Sequence, residues 1–187
     1  MQSFRYILFL MAMVVLAACG RTEEEEAYLK KLEEQGPLKE AFDVKFIFSE
    51  MAVLQAELEA PHAIEAKEKV GDKEEDIRIF DRGMHLMFYN PNGAKKSDLT
   101  SDQGTFRNQF QDAEVWGNVI LINERGDRLE TEKLFWSKTM DKIWTPGFVK
   151  IFTETEVIYG DSMVSNTDFT EYEIINIKGA MTLKEEL

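Results

Sequence analysis

Apolar and polar residues alternate along most of the chain after Phe42, which is the pattern of half-buried β-strands. The clearest stretch is residues 117–136, where apolar runs at Val119–Ile122 and Leu129–Trp136 flank the polar, glycine-containing Asn123–Asp127. An apolar strand, a turn with glycine and a second apolar strand together predict a β-hairpin. No long helical periodicity follows Phe42, so we predict an all-β, antiparallel fold.

The hairpin pattern recurs with a period of about 30 residues. Gly117, Gly147 and Gly179 each begin a glycine–x–apolar unit, at spacings of 30 and 32 residues. Four residues of the second strand also have counterparts 30 residues earlier: Leu129, Thr131, Leu134 and Trp136 match Leu99, Ser101, Gly104 and Phe106. Met163 begins a weaker third copy, 34 residues after Leu129. Such a period indicates stacked strand units that share one core.

Further elements are predicted outside the repeats. Four strands precede them: Val44–Phe48, Val53–Leu58, Ile77–Phe80 and His85–Tyr89. Pro61 should end the second strand because it has no amide hydrogen to donate. The charged segment Lys67–Asp76 is predicted to be a loop, and Asn90–Gly93 a turn. A short helix is expected at Ala27–Glu34, and the charged tail Leu183–Leu187 is expected to fray.

The first residues have the layout of a cleaved signal. Met1–Ala18 carries one charge, Arg5, and the apolar run from Tyr6 to Ala18 is short for a membrane span. The run ends in Leu16-Ala17-Ala18-Cys19, which resembles a bacterial lipobox, so Cys19 is the predicted lipid anchor. The alternative is a short signal anchor with a buried cysteine. Cys19 is the only cysteine, which excludes an intramolecular disulfide bond.

These signals divide the chain into three segments. We predict a lipoprotein signal peptide at residues 1–18, a lipidated acidic tether at 19–43 and a β-domain at 44–187. The formal net charge of −13 argues against nucleic acid as a partner. It also argues against a broad basic surface that would grip anionic head groups.

The sequence carries no catalytic motif that we recognise. Nucleophile elbows, glycine-rich phosphate loops and His-Glu-x-x-His are all missing from it. Of the two histidines, His62 is predicted to lie in a loop and His85 on the outer face of a strand. We therefore expect a protein that is not an enzyme and that needs neither a cofactor nor a metal.

One phase of the strands at 113–123 and 143–153 is small or apolar throughout. Its members are Ala113, Val115, Gly117, Val119, Leu121, Ile143, Thr145, Gly147, Val149 and Ile151. Successive side chains of a strand point to opposite faces, so this phase predicts the inner face of the fold. Gly147 is expected to be small for close packing. The pattern alone fits a filled sandwich core as well as an open groove.

Five pieces of the chain, in order, resemble the LptC family of lipopolysaccharide-export proteins. The longest is residues 117–151, with its Gly-x-Val and Leu-x-Thr-x-x-Leu-x-Trp pattern. The others are AELEAPHA (56–63), GMHLMFYNPNG (83–93), SDLTSDQG (97–104) and YGDSMVSNTDFTEYEI (159–174). The resemblance implies two antiparallel sheets folded over each other as an open β-jelly roll, or β-taco, around an apolar groove. The implied lipid-binding lining is Val115, Val119, Leu121, Leu129, Leu134, Trp136, Ile143, Val149 and Ile151.

The resemblance also implies a function and partners. The domain would receive lipopolysaccharide from the inner-membrane ABC transporter and pass it to an LptA-like periplasmic protein. The LptA-like partner would add to the last strand, Thr170–Ile177, through the edge residues Tyr172, Glu173, Ile174 and Ile175. The transporter would meet the first strands, near Val44–Leu58. The alternative is a closed β-sandwich lipoprotein that binds only proteins, in the periplasm or at the cell surface.

The start of this chain departs from the best-known LptC pattern. That pattern keeps an uncleaved transmembrane helix, whereas this chain has a lipobox. The acidic residues after Cys19 also resemble a surface-export signal of some Bacteroidota lipoproteins, so the leaflet and face stay open. We expect a periplasmic location with a lipid anchor, with the inner membrane favoured.

Overall fold

A computed structural model describes residues 22–34, 36 and 38–182, and side chains only as far as residue 179 in the last strand. The chain splits into two compact units, residues 1–37 and 38–187. The predicted signal peptide, Cys19 and the tail Leu183–Leu187 lie outside the described residues. Within the described part, no helix is long and apolar enough to cross a membrane.

In the part of the first unit that the structure describes there is one helix, α1, at Glu23–Glu33. Thr22 caps it, because the Thr22 Oγ1 atom accepts a hydrogen bond from the Glu25 amide and the Glu25 carboxylate accepts one from the Thr22 amide. This reciprocal capping box satisfies two amides at the helix start. The helix begins one turn before the predicted start at Ala27, because the Thr-x-x-Glu capping signal lies upstream of that residue.

The second unit is built from β-strands, and the all-β prediction is confirmed. The fourteen described strands are β1 (Lys39–Glu50), β2 (Val53–Val70), β3 (Lys73–Phe80), β4 (Met84–Tyr89), β5 (Lys95–Ser101), β6 (Gln103–Arg107), β7 (Asp112–Asn123), β8 (Arg128–Ser137), β9 (Lys142–Thr145), β10 (Val149–Phe152), β11 (Glu156–Gly160), β12 (Ser162–Ser165), β13 (Tyr172–Ile175) and β14 (Gly179–Thr182). All of their pairings are antiparallel.

The long strands change partners halfway, and this divides the sheet into two layers. β7 pairs through its first half with β6 and through its second half with β5. β8 pairs through its first half with β10 and through its second half with β9. Layer 1 has the order β1–β2–β4–β5–β7–β8–β10–β11–β14, and layer 2 the order β1–β2–β3–β6–β7–β8–β9–β12–β13. Because these long strands belong to both layers, the sheet folds over itself.

The chain passes between the layers along a fold line. In β7 the line falls at Gly117 and Asn118, whose positive φ angles of 75° and 46° accompany a shift of register. Hydrogen bonds join neighbouring crossings, since the Asp102 amide donates to the Gly117 carbonyl at 2.9 Å and the Gly83 amide to the Asp102 carbonyl at 2.6 Å. A side chain at Gly117 would place Cβ 2.8 Å from that of Asp102, so only glycine fits here.

Pro61 does not end β2, contrary to the prediction. The residues of β2 before it pair with β4 and those after it pair with β3, so Pro61 lies at the gap between two partners. On the other side, Asp43 of β1 has a φ of 50° and makes no paired contact there. A proline is tolerated where the ladder needs no amide.

Two more sequence predictions near this point are wrong. The segment Lys67–Asp76 is a hairpin of β2 and β3, with Gly71 at positive φ in its turn. Its high charge hid a regular antiparallel ladder, across which Lys67 forms an ion pair with Glu74. His62 is a fully buried strand residue, and its Nδ1 atom lies 2.6 Å from Asp81 Oδ1. His85 lies on β4, as predicted, beside Asp98.

The 30-residue period has a simple structural meaning. Gly117, Gly147 and Gly179 all lie at the fold line, where the chain enters a layer-1 strand. One period is therefore one crossing into layer 1 and one return to layer 2. Met163 breaks the predicted alignment because it lies on layer 2, at the position of Leu134 rather than Leu129.

Candidate functional site

The residues predicted to line a groove lie between the two layers. Eight of the nine are at most 4% exposed, and Trp136 packs against the same cluster: Val115, Val119, Leu121, Leu129, Leu134, Ile143, Val149 and Ile151. Between β4, β5, β7, β8 and β9 they leave a cavity of only 20 Å³, which is room for about one water molecule. We call the part of the interior bounded by β7 to β13 the filled end.

The layers separate at an opening that we call the window. It is a pocket of 240 Å³ between β1, β2, β4 and β5 of layer 1 and β6, β8 and the adjoining turns of layer 2. Its apolar lining is Phe48, Ala56, Leu86, Phe88, Phe106, Phe110 and Trp136. Leu86, Phe88 and Trp136 also line the small interior cavity. The window therefore borders the apolar interior and shares wall residues with it.

A left-handed turn borders the window on the β1 side. Asn108, Gln109 and Phe110 have φ angles of 51°, 53° and 65°, a conformation that residues other than glycine rarely adopt. Phe110 reaches from layer 2 to β1, where its ring centroid lies 4.8 Å from that of Phe48 and 5.6 Å from that of Phe46. The turn thus holds an aromatic contact between the two layers, and its backbone is strained in doing so.

The connection between β12 and β13 borders the window on the other side, and we call residues 166–171 the strap. Its Phe169 side chain is fully buried in the core and stacks on Tyr172 at 5.2 Å between centroids. The turn between β7 and β8 holds its backbone, because Asn123 Nδ2 donates to the Phe169 carbonyl at 2.7 Å and Arg125 Nη2 to the Thr170 carbonyl at 3.1 Å. The strap therefore joins the two layers opposite the fold line.

Two polar contacts tie the tip of the strap to the window rim. Asp168 forms an ion pair of 2.6 Å with Lys96 of β5 in layer 1. Thr167 Oγ1 donates to Asp141 Oδ1 at 2.5 Å in the turn that follows β8 in layer 2. Lys138 adds a second cation to the same rim. The rim therefore combines lysines and carboxylates beside an aromatic pocket.

The family comparison adds to this geometry. The family model described as "Lipopolysaccharide-assembly, LptC-related" matches residues 6–181, which is nearly the whole chain. The chain belongs to the LptC family. No curated protein matches it. LptC proteins are periplasmic components of lipopolysaccharide transport, so lipopolysaccharide and the transport system are its general partners.

The sheet of this LptC domain ends in open edges. At one end β1 pairs, among the described strands, only with β2. At the other end, again within the described residues, β13 pairs only with β12, and β14 only with β11. The predicted last strand, Thr170–Ile177, is wrong in extent: β13 covers Tyr172–Ile175, because residues 166–171 form the strap and β14 follows in layer 1.

The direction of the backbone groups in β13 can be read from two hydrogen bonds. The Glu171 carbonyl accepts from the Asn166 amide, and the Ile175 carbonyl accepts from the Asp161 amide, both on the β12 side. Groups alternate along a strand, so Glu173 also faces β12, whereas the amides of Tyr172 and Ile174 face the open edge. Of the predicted edge residues, two therefore present their backbone outward.

The space around Gly147 is not crowded. A Cβ atom there would meet only Thr145 Oγ1, at 3.7 Å, so the expected close packing is wrong. The most crowded of the described glycines is Gly160 of β11, where a Cβ would lie 2.2 Å from Ile174 Cγ2. Gly160 packs directly beneath β13, which places the edge strand tightly on layer 1.

Several site residues were not predicted from the sequence. The inward alternation of Leu86 and Phe88 in β4 was a usable signal for the window. Phe110, Lys96 and Asp168 gave no such signal, because their meeting depends on a strained turn and on a strap that crosses between layers. Among the described residues no group of histidine, cysteine or carboxylate side chains could hold a metal ion.

Proposed function

We propose that this domain is one segment of a lipid-conducting bridge for lipopolysaccharide. It receives the glycolipid from the inner-membrane ABC transporter and passes it to an LptA-like protein, without chemistry of its own. The observation that carries the proposal is an aromatic window of 240 Å³ that shares apolar wall residues with the interior between the layers. Acyl chains fit such a lining because their burial removes apolar surface from water.

Passage needs movement in the filled end. A cavity of 20 Å³ does not admit an acyl chain, so the side chains between β7 and β13 must part as lipid advances. The strap and the Phe110 turn join the layers on the open side, and both use partly exposed contacts at the window. The window supports entry, and the filled end supports a closed resting state.

The open edges support a direction. Strand addition continues a sheet through backbone hydrogen bonds, and β1 and β13 each leave one side free within the described chain. We place the transporter at β1 and the LptA-like partner at β13, where Tyr172 and Ile174 present outward amides.

The membrane attachment is part of the proposal. Lipidation of Cys19 would hold the domain at the inner membrane, and several acyl chains anchor a protein stably where one does not. Cys19→Ala should release the protein from the membrane fraction or leave it unprocessed. An unmodified cysteine in the mass spectrum of the wild-type protein would contradict the anchor.

The test of conduction is co-purified lipid. We expect native mass spectrometry of the full chain, isolated from cells, to show bound lipopolysaccharide. A chain that carries no lipid but still captures the LptA-like partner would favour the alternative, a β-sandwich lipoprotein that binds only proteins. The close packing of the filled end is the specific observation that supports this alternative.

The test of the partner edge uses two variants of one residue. Ile174→Pro removes an outward amide and the packing of the side chain, whereas Ile174→Ala removes the packing alone. We expect Ile174→Ala to bind the LptA-like protein and Ile174→Pro not to bind it, in pull-down with both variants folded. Equal capture by the two folded variants would place the partner elsewhere.

A further inference from the structure

The rim of the window carries cations in a chain whose formal net charge is −13. Lys96 and Lys138 both border the pocket, directly above its aromatic lining. Aromatic rings below and ammonium groups above are the complement of an amphiphile whose apolar chain ends in an anionic head group. The same rim carries the carboxylates of Asp141 and Asp168, so its formal charges balance, whereas the chain as a whole is strongly acidic.

One of the two carboxylates at this rim is already paired with a rim lysine. The Asp168 carboxylate lies 2.6 Å from the Lys96 ammonium, and it is carried by the strap, not by the sheet. The side chains are 33% and 39% exposed, so water reaches this ion pair and competing ions can as well. An exposed pair of this kind is weak, which makes it replaceable.

The strap is held unequally along its length. Phe169 is buried and its carbonyl is bound by Asn123, whereas Thr167 and Asp168 are held by single polar contacts at the rim. Loss of the Lys96 contact therefore leaves the tip of the strap held at the rim by the Thr167–Asp141 hydrogen bond, while its base stays in place. Thr167 also lines the small cavity behind the window, so movement of the tip widens the way inward.

We propose that Lys96 is a phosphate-binding residue at the entrance to the groove, and that Asp168 is a built-in competitor that keeps the strap closed until a phosphorylated amphiphile arrives. This inference rests on the proposed function and names the chemical group which that site recognises. A phosphate carries more charge than a carboxylate and offers more acceptor oxygens to an ammonium. It displaces Asp168 from Lys96, and the acyl chain follows into the window.

Two variants should differ in phosphate binding if Lys96 binds phosphate, and should behave alike if the ion pair is merely structural. Asp168→Asn removes the competitor and leaves Lys96 free for phosphate. Lys96→Gln also breaks the ion pair, but it removes the ligand for phosphate as well. Glu74→Gln is the matched control, since it breaks the ion pair of Glu74 with Lys67, far from the window, in the turn region of β2 and β3.

The probes are lysophosphatidic acid and the monoacylglycerol with the same acyl chain, titrated into the full chain. We expect the wild type to bind the phosphorylated probe about tenfold more tightly, as for one charge-assisted contact. Asp168→Asn should widen this preference about threefold, and Lys96→Gln should bring the two affinities to within about twofold. Glu74→Gln should match the wild type.

Hydrogen exchange reports the strap itself. The Phe169 amide donates to the Asn166 carbonyl at 3.1 Å within the strap. We expect lysophosphatidic acid, but not the monoacylglycerol, to speed exchange at this amide in the wild type. Asp168→Asn should speed it without any probe.

Three results would overturn the inference: equal binding of both probes by the wild type, a phosphate preference kept by Lys96→Gln, or weaker phosphate binding by Asp168→Asn. Equal binding of both probes leaves the proposed lipid groove standing. Failure of the wild type to bind either probe would contradict the groove and this inference together.

Discussion

The window and the filled end belong to the same two layers, yet they are packed in opposite ways. In the filled end Leu129, Ile151 and Met163 are fully buried, and the interior there leaves no described space beyond a small cavity. At the window Phe48 and Phe110 meet edge to face across a pocket of 240 Å³. Side chains interdigitate on all sides in the filled end, whereas the aromatic side chains at the window border open space on one side.

The difference shows how one fold can be stable and still admit a ligand. The filled end supplies the buried apolar area that holds the layers together, since burial is the main favourable term in folding. The window buries less apolar area, and the turn at Asn108–Phe110 that borders it has a strained backbone. On the proposed function, stability and ligand entry reside in different halves of the domain, and we expect that each can be changed separately.

The largest expected difference in the free energy of unfolding is between variants of Ile151 and of Phe110. Ile151→Ala leaves a cavity in a fully buried site and should lower the free energy of unfolding by about 2–5 kcal/mol. Phe110→Ala removes a partly exposed ring at a pocket that is already open, and should cost about 1–2 kcal/mol. Chemical denaturation measures both. Equal costs would mean that the two ends are packed alike.

Gly160 tests the tight contact at the far end of the filled half. Gly160→Ala places a methyl group against Ile174 and should cost about 1–3 kcal/mol through overpacking. Adding Ile174→Ala should recover part of the loss, because it removes the colliding methyl. Gly147→Ala is the control and should change stability by no more than about 0.5 kcal/mol. A harmless Gly160→Ala would show that β13 does not rest on Gly160.

The strain beside the window should be measurable with glycine. Gln109 has a φ of 53° and a ψ of 46°, so Gln109→Gly should be neutral or stabilise the domain by up to about 1 kcal/mol. The same change in a regular strand, Thr100→Gly in β5, should cost about 0.5–1 kcal/mol. If both variants lose stability equally, the turn is not strained.

The smallest expected effect depends on pH. Burial, followed by the nearby charge of Asp127, raises the pKa of Tyr172 above its ordinary value of 10.0. The folded domain then keeps the phenol proton more firmly than the unfolded chain does. The resulting stability is complete below pH 10.0 and is lost as pH rises from there through the raised pKa.

Tyr172→Phe removes this titration. Its denaturation midpoint should fall less than that of the wild type when pH is raised from about 9 to about 11. Tyr89, whose hydroxyl donates to Glu57, also has a raised pKa and stays in both proteins as an internal control. Parallel curves for the two proteins would show that Tyr172 contributes nothing to the alkaline loss.

Local patterns in the sequence predicted much of the fold. Alternation at 113–123 placed Val115, Val119 and Leu121 on the inner face, where they are buried. The pattern could not predict that β2 continues past Pro61, because that depends on a change of partner from β4 to β3. Residues close in sequence determine the phase of a strand, whereas the partners of a strand are determined by distant segments.

The candidate site was harder to predict for the same reason. Lys96 and Asp168 are 72 positions apart in the numbering, and only the strap between β12 and β13 brings them together. The window exists because Phe110 sits on a left-handed turn, and no propensity rule places asparagine, glutamine and phenylalanine there in succession. Sites built from such exceptions are seen only in the folded chain.

The central claim is that lipopolysaccharide travels between the layers and not over their outer faces. Trp136 and Phe135 are neighbours on β8: Trp136 faces the window, whereas Phe135 stacks on Trp144 at 5.4 Å, on the opposite face. A photo-crosslinking phenylalanine at each position is similar in size to the ring it replaces. We expect ATP-dependent capture of lipopolysaccharide from position 136 and none from position 135, in cells with the intact transporter. Equal capture from both positions, with both variants folded, would contradict the account.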